Sequence, residues 1–340
     1  MIVSLKEGAD PAAVLRALVA RGLWVSQVER TPAGGPVHYV IAPYSSAVST
    51  TDLAAIDGVS TVTTSKSPFP LVERQGPVVE VAGVRIGAPR AAGTSERPTL
   101  MCGPCSIESE EHVRAIAARL APLGVAFLRG GAFKPRTSPY AFQGHGEPAL
   151  RWMRRAADAH GMKVVTEALA EADVPLVAEH ADLIQIGSRN MHNYALLKAI
   201  GRTTRPVLLK RGMAATLDEW LQAGEYLLAA GAASVIFCER GVRSFDDSTR
   251  NLLDLGAVAL LAHVHRLPVI VDPSHGAGRR DLVLPLGRAA LAAGAAGLMI
   301  ETHDDPGRAL SDGPQAIPLA EIGSVVRELL GTGTATGGVS

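Results

Sequence analysis

The chain has 340 residues with 33 basic and 33 acidic side chains, so its formal net charge is zero and a sequence-wide electrostatic grip on nucleic acid or an anionic membrane is not expected. Hydrophobic residues make up 47%, charged residues 19% and aromatic residues 4%, a globular balance that leaves little for base-stacking platforms. No apolar run approaches the ~18 residues of a membrane helix, the first residues carry no signal-peptide core, and three cysteines cannot form a disulfide framework, so a reduced, cytoplasmic setting is expected.

Residues 1–70 read as a small α+β unit. A strand at 2–5 is followed by Asp10-Pro11, an N-cap with proline at the first helical position, and then by Leu15, Leu18 and Val19 on one helical face. Strands at 24–28 and 37–41 flank a Pro-Ala-Gly-Gly turn at 31–36, and a short helix at 51–56 precedes a strand at 59–63. The order βαββαβ suggests a ferredoxin-like sandwich. Ser67-Pro68-Phe69-Pro70 reads as a stiff linker.

The remainder, 71–330, opens with a hairpin at 77–88 that turns at Gly83. Eight apolar runs follow, at 100–103, 125–130, 163–167, 183–187, 207–210, 235–239, 269–272 and 298–301. Helical patterns lie between them, such as 216–229 with Leu217, Trp220, Leu221 and Leu228 on one face and a Thr216/Glu219 capping box. Eight alternating units fit a (β/α)8 TIM barrel within the α/β class. The Gly/Thr/Ser-rich tail 331–340 is expected to be disordered.

In such a barrel the chemistry collects at the C-terminal ends of the strands. Strand two runs into Arg129, Lys134 and Arg136; strand four into Arg189; strand five into Lys210 and Arg211; strand six into Arg240 and Arg243. In a neutral protein these either pair with nearby acids or form one cationic mouth for a ligand rich in phosphate and carboxylate. A second group ends strands one, seven and eight: Cys105, His275 and Glu301, with Asp312 eleven residues further on. Closure of the barrel brings strand eight beside strand one, where thiolate, imidazole and carboxylates suit a divalent Mn, Fe, Co or Zn ion. Their spacing forms no compact motif; taken alone, a residue like Cys105 is more often core and one like Asp312 more often a turn residue. His145, His192 and His303 rank below them as loop residues, Cys102/Cys105 is a weak dithiol pair, and Cys238 reads as core.

Several long, collinear segments resemble the 3-deoxy-D-arabino-heptulosonate 7-phosphate (DAHP) synthase family. They are Gly103-Pro104-Cys105-Ser106-Ile107-Glu108, the run 128–138 with Lys134-Pro135-Arg136-Thr137, Ile184-Gln185-Ile186-Gly187-Ser188-Arg189-Asn190, Leu208-Leu209-Lys210-Arg211-Gly212 and Asp272-Pro273-Ser274-His275. The likeness is strongest to the subgroup with a ferredoxin-like regulatory domain before the barrel. The related 3-deoxy-D-manno-octulosonate 8-phosphate synthases typically carry Lys-Ala-Asn-Arg where this chain has Lys134-Pro135-Arg136-Thr137, which favours erythrose 4-phosphate as the aldose. A non-catalytic phospho-sugar binding barrel is the alternative outside enzymes.

The resemblance implies condensation of phosphoenolpyruvate with erythrose 4-phosphate, the first step of the shikimate pathway toward chorismate and the aromatic amino acids. It implies that Arg129, Lys134, Arg189, Lys210 and Arg240 hold phosphoenolpyruvate, and that Arg136 and Thr137 hold the aldose phosphate. Cys105, His275, Glu301 and Asp312 match the metal ligands. Lys134 is expected to protonate the new alkoxide, its pKa lowered among arginines, with His275 or a metal-bound water as the competing donor. A metal-ligating Cys105 makes the activity sensitive to mild oxidation. Tyrosine or phenylalanine is expected as an inhibitor acting through 1–70, in a homotetramer.

Overall fold

In a computed structural model of the chain the described residues are 1–30, 37–42, 45–64, 67–87, 97–135 and 138–331. The turn at 31–36, Arg136, Thr137 and nearly all of the 331–340 tail lie outside them. The chain divides into two units, Met1–Pro68 and Phe69–Ser340.

The first unit follows the order β1 (Ile2–Leu5), α1 (Pro11–Val19), β2 (Val25–Arg30), β3 (Val37–Ile41), α2 (Thr50–Ala54) and β4 (Val59–Thr63). Asp10 accepts the Ala12 N–H at 2.9 Å and starts α1, where Pro11 sacrifices no helical bond. The four strands form an antiparallel sheet in the order β2-β3-β1-β4. Val3, Leu5 and Tyr39 from the strands bury against Val14, Leu18 and Leu53 from the helices.

The second unit begins with a helix the sequence did not announce. Pro70, read as linker, is the first residue of α3 (Pro70–Arg74). Its Leu71 and Val72 N–H groups, orphaned at a helix start, are accepted by the Glu225 carboxylate at 2.9–3.0 Å. Next comes the hairpin β5 (Val78–Val81) and β6 (Val84–Gly87). Eight parallel strands follow: β7 (Thr99–Gly103), β8 (Phe127–Arg129), β9 (Lys163–Glu167), β10 (Leu183–Ile186), β11 (Val207–Lys210), β12 (Val235–Glu239), β13 (Val269–Val271) and β14 (Gly297–His303). The expected boundaries fall within two residues of these. Helices alternate with them: α4 (Glu110–Leu120), α5 (Glu147–Asp158), α6 (Val174–His180), α7 (Tyr194–Gly201), α8 (Leu217–Ala229), α9 (Leu255–Ala259), α10 (Pro273–Ala277), α11 (Val283–Ala293) and, after β14, α12 (Ile322–Leu329). β14 pairs with both β13 and β7, which closes the ring.

The strands are buried on both sides, as parallel barrel strands must be. Met101, Phe127, Val165, Leu208, Ile270 and Met299 share one cluster with Val79, Val81 and Ile86 of the hairpin, so β5 and β6 supply part of the barrel's own packing. The alternate residues, Leu100, Leu128, Val164, Ile184, Leu209 and Phe237, pack in a second cluster with the surrounding helices. In α8 the expected capping box is present, with Thr216 and Glu219 exchanging bonds of 2.8 and 3.2 Å. Trp220 and Leu221 form its buried side, while Leu217 and Leu228 are only partly covered.

Candidate active site

A close approach of backbone and a continued strand pairing set the mouth of the barrel. Gly103, at φ 154°, lies so near β8 that a Cβ would stand 2.0 Å from the Arg129 carbonyl oxygen. Beyond it the pairing of β7 and β8 continues through Gly131 N–H to Cys105 O and Ile107 N–H to Gly131 O, both 3.0 Å. This places the Cys105 side chain beside the segment that carries Lys134. Lys134 Nζ donates to Cys105 O at 3.1 Å and lies 3.0 Å from Cys105 Sγ.

His275 enters from the opposite side of the closure. Asp272 caps α10, accepting the His275 N–H at 2.9 Å, and its other oxygen lies 2.7 Å from His275 Nδ1. The ring is therefore held with Nε2 toward Glu301 Oε1 at 3.3 Å and Asp312 Oδ2 at 3.9 Å. Cys105 Sγ donates to Asp312 Oδ2 at 3.1 Å. One donor atom from each of Cys105, His275, Glu301 and Asp312 lies within 4.8 Å of the others. The four residues anticipated from three strand ends thus meet, Asp312 doing so from a left-handed backbone conformation at φ 50° that Asp tolerates better than most side chains.

The surroundings bias their charges. Burial pushes the Cys105 thiol up to about 12, with Glu301 adding to the effect and Lys134 opposing it. Burial likewise lowers His275, which favours the neutral ring a metal requires. Burial works against an ionised Glu301, but His275 and Arg129 outweigh it and hold that carboxyl below its usual range. Asp312 is depressed in the same way, against its burial, by His275, the Cys105 hydrogen bond and Arg250.

Arg129, Lys134, Arg189, Lys210 and Arg240 line one cavity together with His275 and Asp312. Arg129 is anchored by Pro104 O at 2.9 Å and Glu301 at 2.7 Å, and Lys210 by Asp272 at 2.5 Å. Arg240 is buried, yet its one hydrogen bond to the described residues is a long one, 3.4 Å, to a backbone carbonyl. Arg243 is exposed, and Arg211 is taken up by Glu239 and Asp254 at 3.1 and 2.7 Å. Arg136 and Thr137 lie outside the described residues.

Three readings change. Lys134 was expected to have a lowered pKa; burial does push that way, but the neighbouring Cys105 and Glu301 outweigh it and the net direction is upward. Arg250 was missed: it lines the cavity and donates to Asp312 and Gln315, both at 3.0 Å. It sits in a loop with no apolar run to mark it, and only its company with Thr249 and Asn251 in a polar stretch hinted at a site. Gln315 was also missed, although it donates to Glu301 Oε2 at 2.5 Å. Cys102 packs between barrel and helices while Cys105 is at the mouth, so the two thiols do not form a dithiol centre, and Cys238 is core as expected. His192 is exposed, His145 bonds the Glu108 carbonyl, and His303 stands in a separate cluster.

Comparison with known proteins matches residues 79–333 to the family described as DAHP synthetase I. The chain is 45% identical over 307 residues to phospho-2-dehydro-3-deoxyheptonate aldolase of Thermotoga maritima, covering 88% of this chain and 86% of that one. It is 33% identical over 279 residues to 2-dehydro-3-deoxyphosphooctonate aldolase of Methylobacterium radiotolerans, covering 76% and 95%. A crystal structure of the Thermotoga maritima aldolase, also termed DAHP synthase, superposes with a TM-score of 0.73 at 42% identity over 96% of this chain and 95% of that chain. A truncated form of the synthase from the same organism superposes with a TM-score of 0.67 at 45% identity over 75% and 91%. The chain belongs to the DAHP synthetase I family.

Proposed function

We propose that this chain is a metal-dependent 3-deoxy-7-phosphoheptulonate synthase, which joins phosphoenolpyruvate to erythrose 4-phosphate and releases phosphate. The observation that carries the reading is the shared cavity: six cationic side chains, Arg250 among them, line it together with His275 and Asp312 of the four-residue donor set. Phosphoenolpyruvate holds a phosphate and a carboxylate a few atoms apart and needs several cations at close range. Arg240, buried without a carboxylate partner among the described residues, is suited to an incoming anion.

Cys105, His275, Glu301 and Asp312 fit a divalent ion such as Mn, Fe, Co or Zn, because their donor atoms already converge and Asp272 fixes the imidazole. When bound, the ion supplies Lewis-acid polarisation of the aldehyde oxygen. The protein does the rest. Arg129, Arg189, Lys210 and Arg240 hold phosphoenolpyruvate so that its C3 forms a bond to the aldehyde carbon. Lys134, kept ammonium by its neighbours, donates a proton to the new alkoxide. Water adds at C2, and the C–O bond to phosphate breaks. Arg136 and Thr137 take the aldose phosphate.

The βαββαβ order and the sheet order β2-β3-β1-β4 support a ferredoxin-like regulatory role for the first unit. Tyrosine or phenylalanine binding there inhibits turnover in a homotetramer, with a coupling of ~1–3 kcal/mol.

The test is phosphate release by chelator-stripped full chain, with metals restored one at a time and either erythrose 4-phosphate or arabinose 5-phosphate present. Aldose-dependent release with the four-carbon sugar is expected. Faster turnover of arabinose 5-phosphate assigns the octulosonate activity instead, the reading that the 33% identical relatives favour. Release with neither sugar under any metal leaves a binding barrel. Inhibition by tyrosine or phenylalanine that survives deletion of 1–68 sinks the regulatory part.

A further inference from the structure

A second convergence of donors lies apart from the cationic cavity. Ser109 caps α4 and accepts the His112 N–H at 3.1 Å, which sets His112 in the first turn of that helix. The end of β14 delivers His303, and the segment between β7 and α4 delivers Glu108. One donor atom from each lies within 4.8 Å of the other two. The imidazole centroids are 4.3 Å apart, and the two residues are only 8% and 5% exposed.

Their polar atoms are poorly served. Among the described residues, neither ring nitrogen of His112, nor Nε2 of His303, makes a hydrogen bond. Carboxylate oxygens are near, Asp304 Oδ1 at 3.2 Å from His112 Nε2 and Glu108 Oε1 at 3.3 Å from His303 Nε2, but not in line with a donated hydrogen. Buried ring nitrogens ordinarily find partners. Two imidazoles and a carboxylate whose donor atoms converge are the set that a borderline divalent ion binds.

We propose that Glu108, His112 and His303 form a second divalent-metal site, for an ion of the Zn2+ or Co2+ kind, separate from the Cys105 group. The supporting groups are in place. His303 Nδ1 now takes the Asp305 N–H at 3.0 Å, so Nε2 carries the ring hydrogen. Ligation through Nε2 moves that hydrogen to Nδ1, where Asp304 Oδ1 accepts it at 2.9 Å. The Asp305 N–H keeps a partner, because Asp304 Oδ1 is also 3.0 Å from it. Half-exposed Asp304 gives the ion a way in. Glu108 also accepts the Leu310 N–H at 2.8 Å, so an ion here fastens the start of α4 to the segment that leads to Asp312.

The experiment titrates Co2+ into chelator-stripped full chain, counting bound metal by equilibrium dialysis while recording absorption. Wild type is expected to bind two equivalents, one with a thiolate-to-cobalt band and one without it. His112→Gln is expected to keep the equivalent with the thiolate band and lose the other. Crystals of the full chain soaked in Co2+ are expected to show an anomalous peak between Glu108, His112 and His303. No peak there beside a peak at Cys105, or a His112→Gln protein that binds as many equivalents as wild type, overturns the site. Should His112→Gln fail to fold, the anomalous map of the wild-type chain decides alone. Because the thiolate band reports the Cys105 group by itself, failure of that centre is read separately.

Discussion

Asp272 holds His275 twice, once through the backbone N–H at 2.9 Å and once through ring Nδ1 at 2.7 Å. The oxygen that meets the ring also takes Lys210 Nζ at 2.5 Å. Asp272→Asn keeps a side chain able to cap α10 but removes the charge on which ring and ammonium converge. Metal affinity is expected to fall about 10–100-fold, the usual cost of losing a carboxylate behind a ligating histidine. Metal content at limiting ion and the phosphoenolpyruvate KM check it; unchanged values for both contradict this role.

Acid should loosen the metal-free barrel. Burial opposes an ionised Asp272, yet His275 and Lys210 hold its carboxyl well below the usual range, and Asp312 is depressed in the same direction. At acid pH the unfolded chain therefore binds these protons before the folded one does. The stabilisation is fully present above the unfolded carboxyl pKa of ~4 and is lost as pH falls below it. Thermal midpoints measured through that window should drop more steeply for wild type than for Asp272→Asn.

Arg240 is a buried cation with a poor partner, and stability and function should separate there. Arg240→Gln is expected to raise the phosphoenolpyruvate KM about 10–100-fold, corresponding to ~1.5–3 kcal/mol for a charged hydrogen bond. The substrate-free thermal midpoint should hold or rise, since an uncompensated buried charge has been removed. A lowered midpoint with unaltered KM would show Arg240 to be structural.

Lys134→Ala removes both an ammonium from the cavity and the group 3.0 Å from Cys105 Sγ. Turnover is expected to fall about 10²–10⁴-fold, the range for loss of a general acid. Near-normal kcat with metal bound eliminates the proton-donor role.

At Gly103 the space is closed by backbone, not by a movable side chain. Gly103→Ala is expected to cost more than about 2 kcal/mol, because β7 and β8 must separate to admit the methyl group. Chemical denaturation with a midpoint equal to wild type would refute the close approach.

The barrel was legible because each of its strands is a continuous apolar run, the mark of a strand covered on both faces. Cys105, His275, Glu301 and Asp312 were legible once ring closure was assumed, since strand ends fix which residues can meet. What escaped depends on partners far away in the chain. Pro70 was read as the end of a linker and the helix Pro70–Arg74 was missed, because its start is satisfied by Glu225, 154 residues distant from Leu71, with no local cap to read. The direction of the Lys134 shift was misjudged because the arginines are visible nearby in sequence, whereas Cys105, and to a lesser degree Glu301, come against it only through the fold. Arg250 comes from a loop without periodicity. His112 was not singled out, because only the fold brings His303 of β14 against it.

The hydrogen bond from Cys105 to Asp312 spans 207 residues, from the exit of the first barrel strand to the segment after the last. During synthesis the thiol and most of the cations therefore emerge long before the two acids that join them. A nascent or truncated chain lacking the final strand cannot assemble the four-donor centre. Completion of the four-donor set reports that the whole ring has been made.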